Sequence, residues 1–147
     1  MSKTLVIFDL DHTVICSKHR SEHDNNGKLN LSEWIANSTW SNIMRDTLLP
    51  LARTWKALIG RDDVDIFVCT ARDMKSADYA FLHKHGLHAH AILHPDYSAH
   101  GTGNAAKAKR ELLEPLVSNY HTVIFYDDEP ANIEMARELG IDARLVK

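Results

Sequence analysis

Asp9 and Asp11 stand two residues apart directly after the apolar run Thr4-Leu5-Val6-Ile7-Phe8, and Thr13 follows at the next alternate position. A buried strand normally ends in turn residues; this one ends in paired acids. A second acid pair, Asp127-Asp128, follows the run "TVIFY" (122–126), and Thr70 and Arg72 follow the run "DIFVC" (65–69). If these runs lie side by side in a parallel sheet, three carboxylates meet at one edge, where each raises the pKa of the others. A hard divalent cation offsets that repulsion best. Oxygen ligands favour Mg2+, which takes few protein carboxylates and keeps several waters. Mg2+ between carboxylates points to a phosphomonoester as the substrate.

A phosphoryl group also needs donors and a cationic partner. Thr70 offers a hydroxyl and nearby backbone amides. Lys107 and Lys109 are the two candidates for the cation, and the helical stripe separates them. Lys109 lies three and four residues before Leu112 and Leu113, on the core-facing side, whereas Lys107 points with Arg110, Glu111 and Glu114 toward water. Asp9 is placed to attack phosphorus and form an aspartyl-phosphate. Asp11, two positions on, is expected to point back to the same side, protonate the leaving alcohol and later deprotonate the attacking water.

The elements that must position these groups alternate. Strand-like runs occur at 4–8, 65–69, 89–93, 122–126 and 143–147. Between them run helical stripes: Leu48 to Ile59 before Gly60, Ala77 to His83 before Gly86, Ala105 to Leu116, and Ile133 to Leu139 before Gly140. Alternation of this kind implies right-handed crossovers and a doubly wound, Rossmann-like parallel sheet of the α/β class. Ligands in such sheets sit beyond the carboxyl ends of the strands, where all the named acids fall. The 147 residues suit one domain. Residues 15–47 do not fit the alternation; they read as a small excursion over the active site, with turn chemistry at Asn25-Asn26-Gly27.

These residues resemble the haloacid dehalogenase (HAD) superfamily of phosphotransferases. Its four motifs occur in order: Asp-x-Asp-x-Thr at Asp9, Asp11 and Thr13; Thr70; Lys109; and the acid pair Asp127 and Asp128. One departure is His12, at a position that is often Gly. The resemblance implies Mg2+ held by Asp9, the backbone carbonyl of Asp11, and Asp127, with Thr70 and Lys109 on the phosphoryl oxygens. Asp128 would support the pair and in part cap the helix that follows. More narrowly, Thr70-Ala71-Arg72, the minimal excursion with Trp34, and "FYDDEPANIEMARELGI" resemble the 3′-phosphatase domain of polynucleotide kinases. That likeness implies nucleic-acid or nucleotide 3′-phosphate ends as substrate, with Arg72 and the group Lys18, His19 and Arg20 near the phosphate. A nucleotidase or sugar phosphatase is the alternative. A signalling receiver domain uses similar residues, but its phosphoacceptor follows the third strand, and here that strand ends in Leu93-His94-Pro95.

Several features have commonplace readings. A net charge of -3 excludes nucleic-acid binding through bulk electrostatics and leaves weak, salt-sensitive contact. Cys16 and Cys69 are too few for a disulfide framework, so a reduced, cytoplasmic setting is expected. No apolar run is long enough to span a membrane. His83, His85, His88, His90, His94 and His100 crowd one region without completing a zinc-ligand spacing. Trp34, Trp40 and Trp55 read as packing residues.

Overall fold

The computed structural model describes residues 3–20, 31–94 and 105–147, leaving aside the side chains of Arg20, Leu31 and Ala105. The turn Asn25-Asn26-Gly27 and His100 therefore lie outside the described residues. Strands β1 (Thr4–Phe8), β4 (Val64–Cys69), β5 (Ala91–Leu93), β6 (Thr122–Asp127) and β7 (Asp142–Leu145) form one five-stranded sheet in the order β5-β4-β1-β6-β7. Every pairing in it is parallel. The expected Rossmann-like layer is therefore present. Receiver domains place their strands in a different order, 2-1-3-4-5, so the topology separates this chain from that rival.

Alternation along β1 divides the core. Val6 and Phe8 face one apolar cluster with Trp55, Ile66, Val68 and Phe81; Leu5 and Ile7 face another with Leu113, Val123, Phe125 and Ile133. The first face is covered by α3 (Leu51–Leu58) and α4 (Ser76–Lys84), the second by α5 (Ala105–Leu113) and α6 (Pro130–Glu138). Phe8 stacks between Trp55 and Tyr126, with ring centroids 5.0 and 5.4 Å away. Trp55 is fully buried, and its indole N–H donates to the His88 carbonyl at 2.9 Å.

Two expected elements are shorter than expected for identifiable reasons. Helix α5, expected to run to Leu116, stops at Leu113 and continues as a 3-10 turn, Glu114–Asn119, because Pro115 cannot extend an α-helical ladder. The strand expected at 89–93 begins at Ala91. His90 explains this: its N–H donates to the Ile66 carbonyl at 2.7 Å, and its ring Nδ1 accepts the Ile66 N–H at 3.0 Å. The imidazole takes the place that a strand carbonyl would fill.

The excursion is closed at its base. Strands β2 (Ile15–Cys16) and β3 (Thr47–Leu48) pair antiparallel, Ile15 with Leu48 and Cys16 with Thr47. Among the described residues between them are a 3-10 turn (Lys18–Arg20) and two short helices, α1 (Leu31–Asn37) and α2 (Trp40–Met44). Thr39 caps α2, its hydroxyl accepting the Asn42 N–H at 3.4 Å.

Candidate active site

The strand order reverses between β1 and β6, which opens a crevice at their carboxyl ends. Asp9 leaves β1 there and Asp127 closes β6 there. The two strands pair through Phe8 and Tyr126, and the Asp9 N–H donates to the Tyr126 carbonyl at 3.0 Å. Lys109 reaches this point from α5. Its ammonium donates to Asp9 Oδ1 at 2.9 Å and Asp127 Oδ2 at 2.7 Å, and it is 1% exposed. Lys107 on the same helix is exposed. The buried Thr13 hydroxyl lies 2.9 Å from Asp9 Oδ2 and 3.3 Å from Asp128 Oδ1.

Asp9, Asp127 and Asp128 each offer an oxygen, and these lie within 4.8 Å of one another. One ammonium does not neutralise three acids. Burial chiefly, opposed by Lys109 and reinforced by Asp127, pushes the Asp9 carboxyl up to about 8. Asp128 is also raised, by burial first and then by Asp127. Lys109 is raised as well: against desolvation, Asp9 and Asp127 hold its ammonium charged well above the usual lysine range.

The chain then turns sharply. The Leu10 carbonyl accepts the N–H groups of Thr13, Val14 and Ile15 at 3.2, 3.0 and 2.9 Å. His12 sits in the left-handed region at φ 64°. Gly occupies that conformation freely and His less so, which accounts for the family preference noted above. The turn also breaks the two-residue alternation, so Asp11 does not rejoin Asp9 through its side chain. Its carboxylate instead accepts the Ser17 hydroxyl at 2.6 Å and Arg72 Nε at 3.1 Å.

Arg72 is the centre of a second cluster. It is 6% exposed and pairs with Asp11, with Asp78 of α4 at 2.6 Å, and with Asp46 just before β3 at 3.4 Å. Its guanidinium carbon lies 5.9 Å from the centroid of the Trp34 ring. Thr70, 1% exposed, accepts the Arg72 N–H through its hydroxyl oxygen at 3.0 Å, so its own O–H points elsewhere. Lys18 is exposed, and the His19 ring lies 2.9 Å from the Asn42 carbonyl and 3.5 Å from Asp46.

Glu129 is the N-cap residue of α6, and no side chain makes a capping hydrogen bond there. Asp127, not Asp128, accepts the Glu129 N–H, at 2.9 Å, and the Asn132 side-chain amide, at 3.0 Å. Asn132, Asp46, Asp78 and Ser17 were not singled out from sequence. Asn132 carried the one usable signal, a polar residue in the first turn of a helix that starts beside an acid pair. Asp46 meets Arg72 through tertiary packing, and Asp78 meets it across the short connection into α4. His90 Nε2 lies 3.9 Å from Asp65 Oδ1, and His83 and His88 lie edge to face with centroids 6.0 Å apart. Among the described residues no helix is long and apolar enough to cross a membrane.

The fold has close counterparts. A chain in the structure of the Pnkp1/Rnl/Hen1 RNA repair complex superimposes with a TM-score of 0.71 at 20% identity, over 99% of this chain and 42% of that one. A haloacid dehalogenase-like hydrolase from Streptococcus pneumoniae superimposes with a TM-score of 0.66 at 14% identity, over 96% and 83%. A HAD family enzyme from Bacteroides thetaiotaomicron, in complex with magnesium and inorganic phosphate, gives 0.56 at 13% identity, over 100% and 95%. By fold, then, the molecule is haloacid dehalogenase-like. A family model described as Bacteriophage T5 5'-deoxynucleotidase matches residues 1–146, and the chain belongs to that family. The 5'-deoxynucleotidase of Escherichia phage T5 is 37% identical over 86 residues, which are 56% of this chain and 35% of that protein. The aligned stretch thus spans about a third of the relative's length.

Proposed function

We propose that the chain is a Mg2+-dependent phosphatase that removes the 5′-phosphate of deoxynucleoside monophosphates through an aspartyl-phosphate on Asp9. The observation that carries the chemistry is the buried group at the ends of β1 and β6, where Lys109 bridges Asp9 and Asp127 beside Asp128. Family membership supports the substrate class.

The donor set fits the cation. Asp9, Asp127 and Asp128 present hard oxygens within reach of one ion, and the Asp11 backbone carbonyl is the further ligand that the family resemblance implies. Asn132 Oδ1, buried next to Asp127, finds no hydrogen bond among the described residues, as suits a neighbour of a hydrated ion. Bound there, Mg2+ would neutralise charge on the acids and on the phosphoryl oxygens.

Asp9 attacks phosphorus and the ester oxygen departs with the nucleoside. Asp11 gives that oxygen its proton, then takes one from the water that attacks the aspartyl-phosphate, releasing phosphate and restoring Asp9. Lys109 spends two N–H groups on Asp9 and Asp127 and offers the third to a phosphoryl oxygen. The Thr70 hydroxyl serves a second oxygen. Arg72 is committed to three carboxylates, so its role here is to position Asp11 rather than to bind phosphate.

A second reading, hydrolysis of nucleic-acid 3′-phosphate ends, is favoured by the likeness to the Pnkp1 complex along nearly the whole chain. One comparison decides: turnover of 5′- and 3′-deoxynucleotides, a 3′-phosphorylated oligonucleotide and sugar phosphates, with Mg2+ and with chelator. The 5′-deoxynucleotides are expected to give the highest kcat/KM, and chelator to abolish turnover. Preference for the oligonucleotide would replace the first reading with the second; undiminished turnover in chelator would remove the metal.

A further inference from the structure

An acid that protonates a leaving alcohol works only if its carboxyl is held close to one place. Two anchors hold the Asp11 carboxylate, and they differ in kind. Arg72 divides one guanidinium among Asp11, Asp46 and Asp78, so its fork sits where three acids together draw it. Ser17 has a single O–H, and it donates that to Asp11 Oδ1 at 2.6 Å, the length of a charge-assisted bond. This hydroxyl comes from a fixed frame. Ser17 is 1% exposed and directly follows β2. Ile15 of β2 bridges to Asp11 and pairs with Leu48 of β3, and its carbonyl accepts the His12 N–H at 2.7 Å. The ribbon at the base of the excursion therefore holds Asp11 twice, by its backbone through Ile15 and by its carboxylate through Ser17.

We propose that Ser17 is the positioning residue that fixes Asp11 for proton transfer to the leaving oxygen. The proposal rests on the deoxynucleotidase reading and deepens its first step. There the bond from Asp9 to phosphorus forms as the ester bond breaks; the electron pair goes to the departing 5′-oxygen, and the Asp11 proton joins it. Without the Ser17 hydroxyl, Oδ1 loses a donor, the carboxyl follows the Arg72 fork, and the proton starts from the wrong place. A misplacement of about 1 Å is enough to cost about 10^2-fold. Asp9 keeps its own partners, Lys109 and Thr13, so the loss should fall on steps in which Asp11 moves a proton.

The test is rapid-quench formation of the phosphoryl-protein from two substrates, a deoxynucleoside 5′-monophosphate and p-nitrophenyl phosphate, whose leaving group needs no proton. Ser17→Ala should lower the ratio of the two rates, nucleotide over p-nitrophenyl phosphate, about tenfold or more. Ser17→Thr keeps the hydroxyl and should restore most of that ratio. A site that is merely slackened would slow both substrates alike and leave the ratio unchanged; that result overturns the proposal, and so do unchanged rates with both. Should Ser17→Ala not fold, Ser17→Cys decides, since it has nearly the same shape and only a weak S–H donor. Its ratio should fall about threefold or more, and a wild-type ratio overturns the assignment. Failure of the deoxynucleotidase reading shows in the wild type instead, as a phosphoryl-protein formed from p-nitrophenyl phosphate but from no deoxynucleotide; failure of the proposal shows only in the variants.

Discussion

Asp9 and Asp11 are two residues apart, yet they belong to two different ion clusters. Around Asp9 one ammonium serves Asp9 and Asp127, with Asp128 close by. Around Asp11 one guanidinium serves Asp11, Asp46 and Asp78, each delivered by a different segment. The choice of cation differs with the task. Lysine is a compact point charge on a flexible stem, able to share itself with an arriving ion or phosphoryl group; arginine is a rigid planar fork that fixes its partners. The first cluster is built to exchange partners during a reaction, the second to hold one carboxylate still. Environments that treat neighbouring carboxylates differently are how one fold assigns nucleophile and acid.

The largest expected effects test that division directly. Asp9→Asn should lower kcat by at least about 10^4-fold, since it removes the proposed nucleophile. Asp11→Asn should cost about 10^2- to 10^4-fold, the usual share of a general acid. The two should part company on p-nitrophenyl phosphate, whose leaving group needs no proton. There Asp11→Asn should still form the phosphoryl-protein in a rapid-quench experiment and Asp9→Asn should not. A phosphoryl-protein in Asp9→Asn would place the nucleophile elsewhere.

Next come the cations. Arg72→Ala strands three carboxylates around a buried hole, and breaking a buried ion cluster from one side costs about 3–5 kcal/mol. Urea unfolding should show that loss with and without Mg2+, because no cation site adjoins Asp46 and Asp78 among the described residues. Lys109→Met should also destabilise the metal-free protein, but Mg2+ should restore much of the loss, since the acids it leaves are the proposed ligands. Equal rescue of both variants would erase the distinction between the clusters.

How much of this was legible follows from the same contrast. The Asp9 cluster is carried by strand ends and one helix stripe, and both have sequence periods: apolar runs end at Asp9, Thr70 and Asp127, and Leu112 and Leu113 orient Lys109. The Arg72 cluster has no period. Asp46 sits before a two-residue strand and Asp78 in the first turn of a helix, and nothing local links either to Arg72 or to Asp11. The Asp11 carboxylate turns to Ser17 and Arg72 for a local reason, the turn closed on the Leu10 carbonyl. The sheet order was implied only in outline, while His90 shortened its strand by placing a ring nitrogen where a carbonyl was expected.

Protonation gives a smaller effect with a definite sign. Without a divalent cation the Asp9 carboxyl is raised from 3.8 to about 8, burial being the main cause. A carboxyl raised on folding contributes stability below its unfolded value, and that contribution is lost as pH rises to the folded value. Metal-free protein should therefore lose stability between about pH 4 and about pH 8, and Asp9→Asn should flatten that slope in urea titrations. Mg2+ must displace the same proton, so its affinity should rise toward pH 8 and level off above it, with proton release seen by calorimetry in two buffers. Affinity that does not vary with pH would mean Asp9 is already ionised.

The smallest expected effect concerns the residue that divides the two acids. His12 holds φ 64° between Asp11 and Thr13. A non-glycine residue in the left-handed region costs about 1–2 kcal/mol, somewhat less for histidine, which visits it more readily than most. Glycine removes that strain but adds about 0.5–1 kcal/mol of unfolded-chain freedom. The two nearly offset, so His12→Gly should raise stability by about 0.5 kcal/mol or less, a shift in Tm of about 1–2 °C. Turnover is the sharper readout. If the turn alone keeps Asp11 on Arg72, glycine, which prefers the same conformation, should leave kcat within about twofold, since no group in the proposed reaction is lost. A clear rise in stability with a large fall in kcat would show that the imidazole itself, lining the cleft formed with Pro50, Thr54 and Val146, contributes to the reaction. A fall in stability would show that its contacts outweigh the strain it carries.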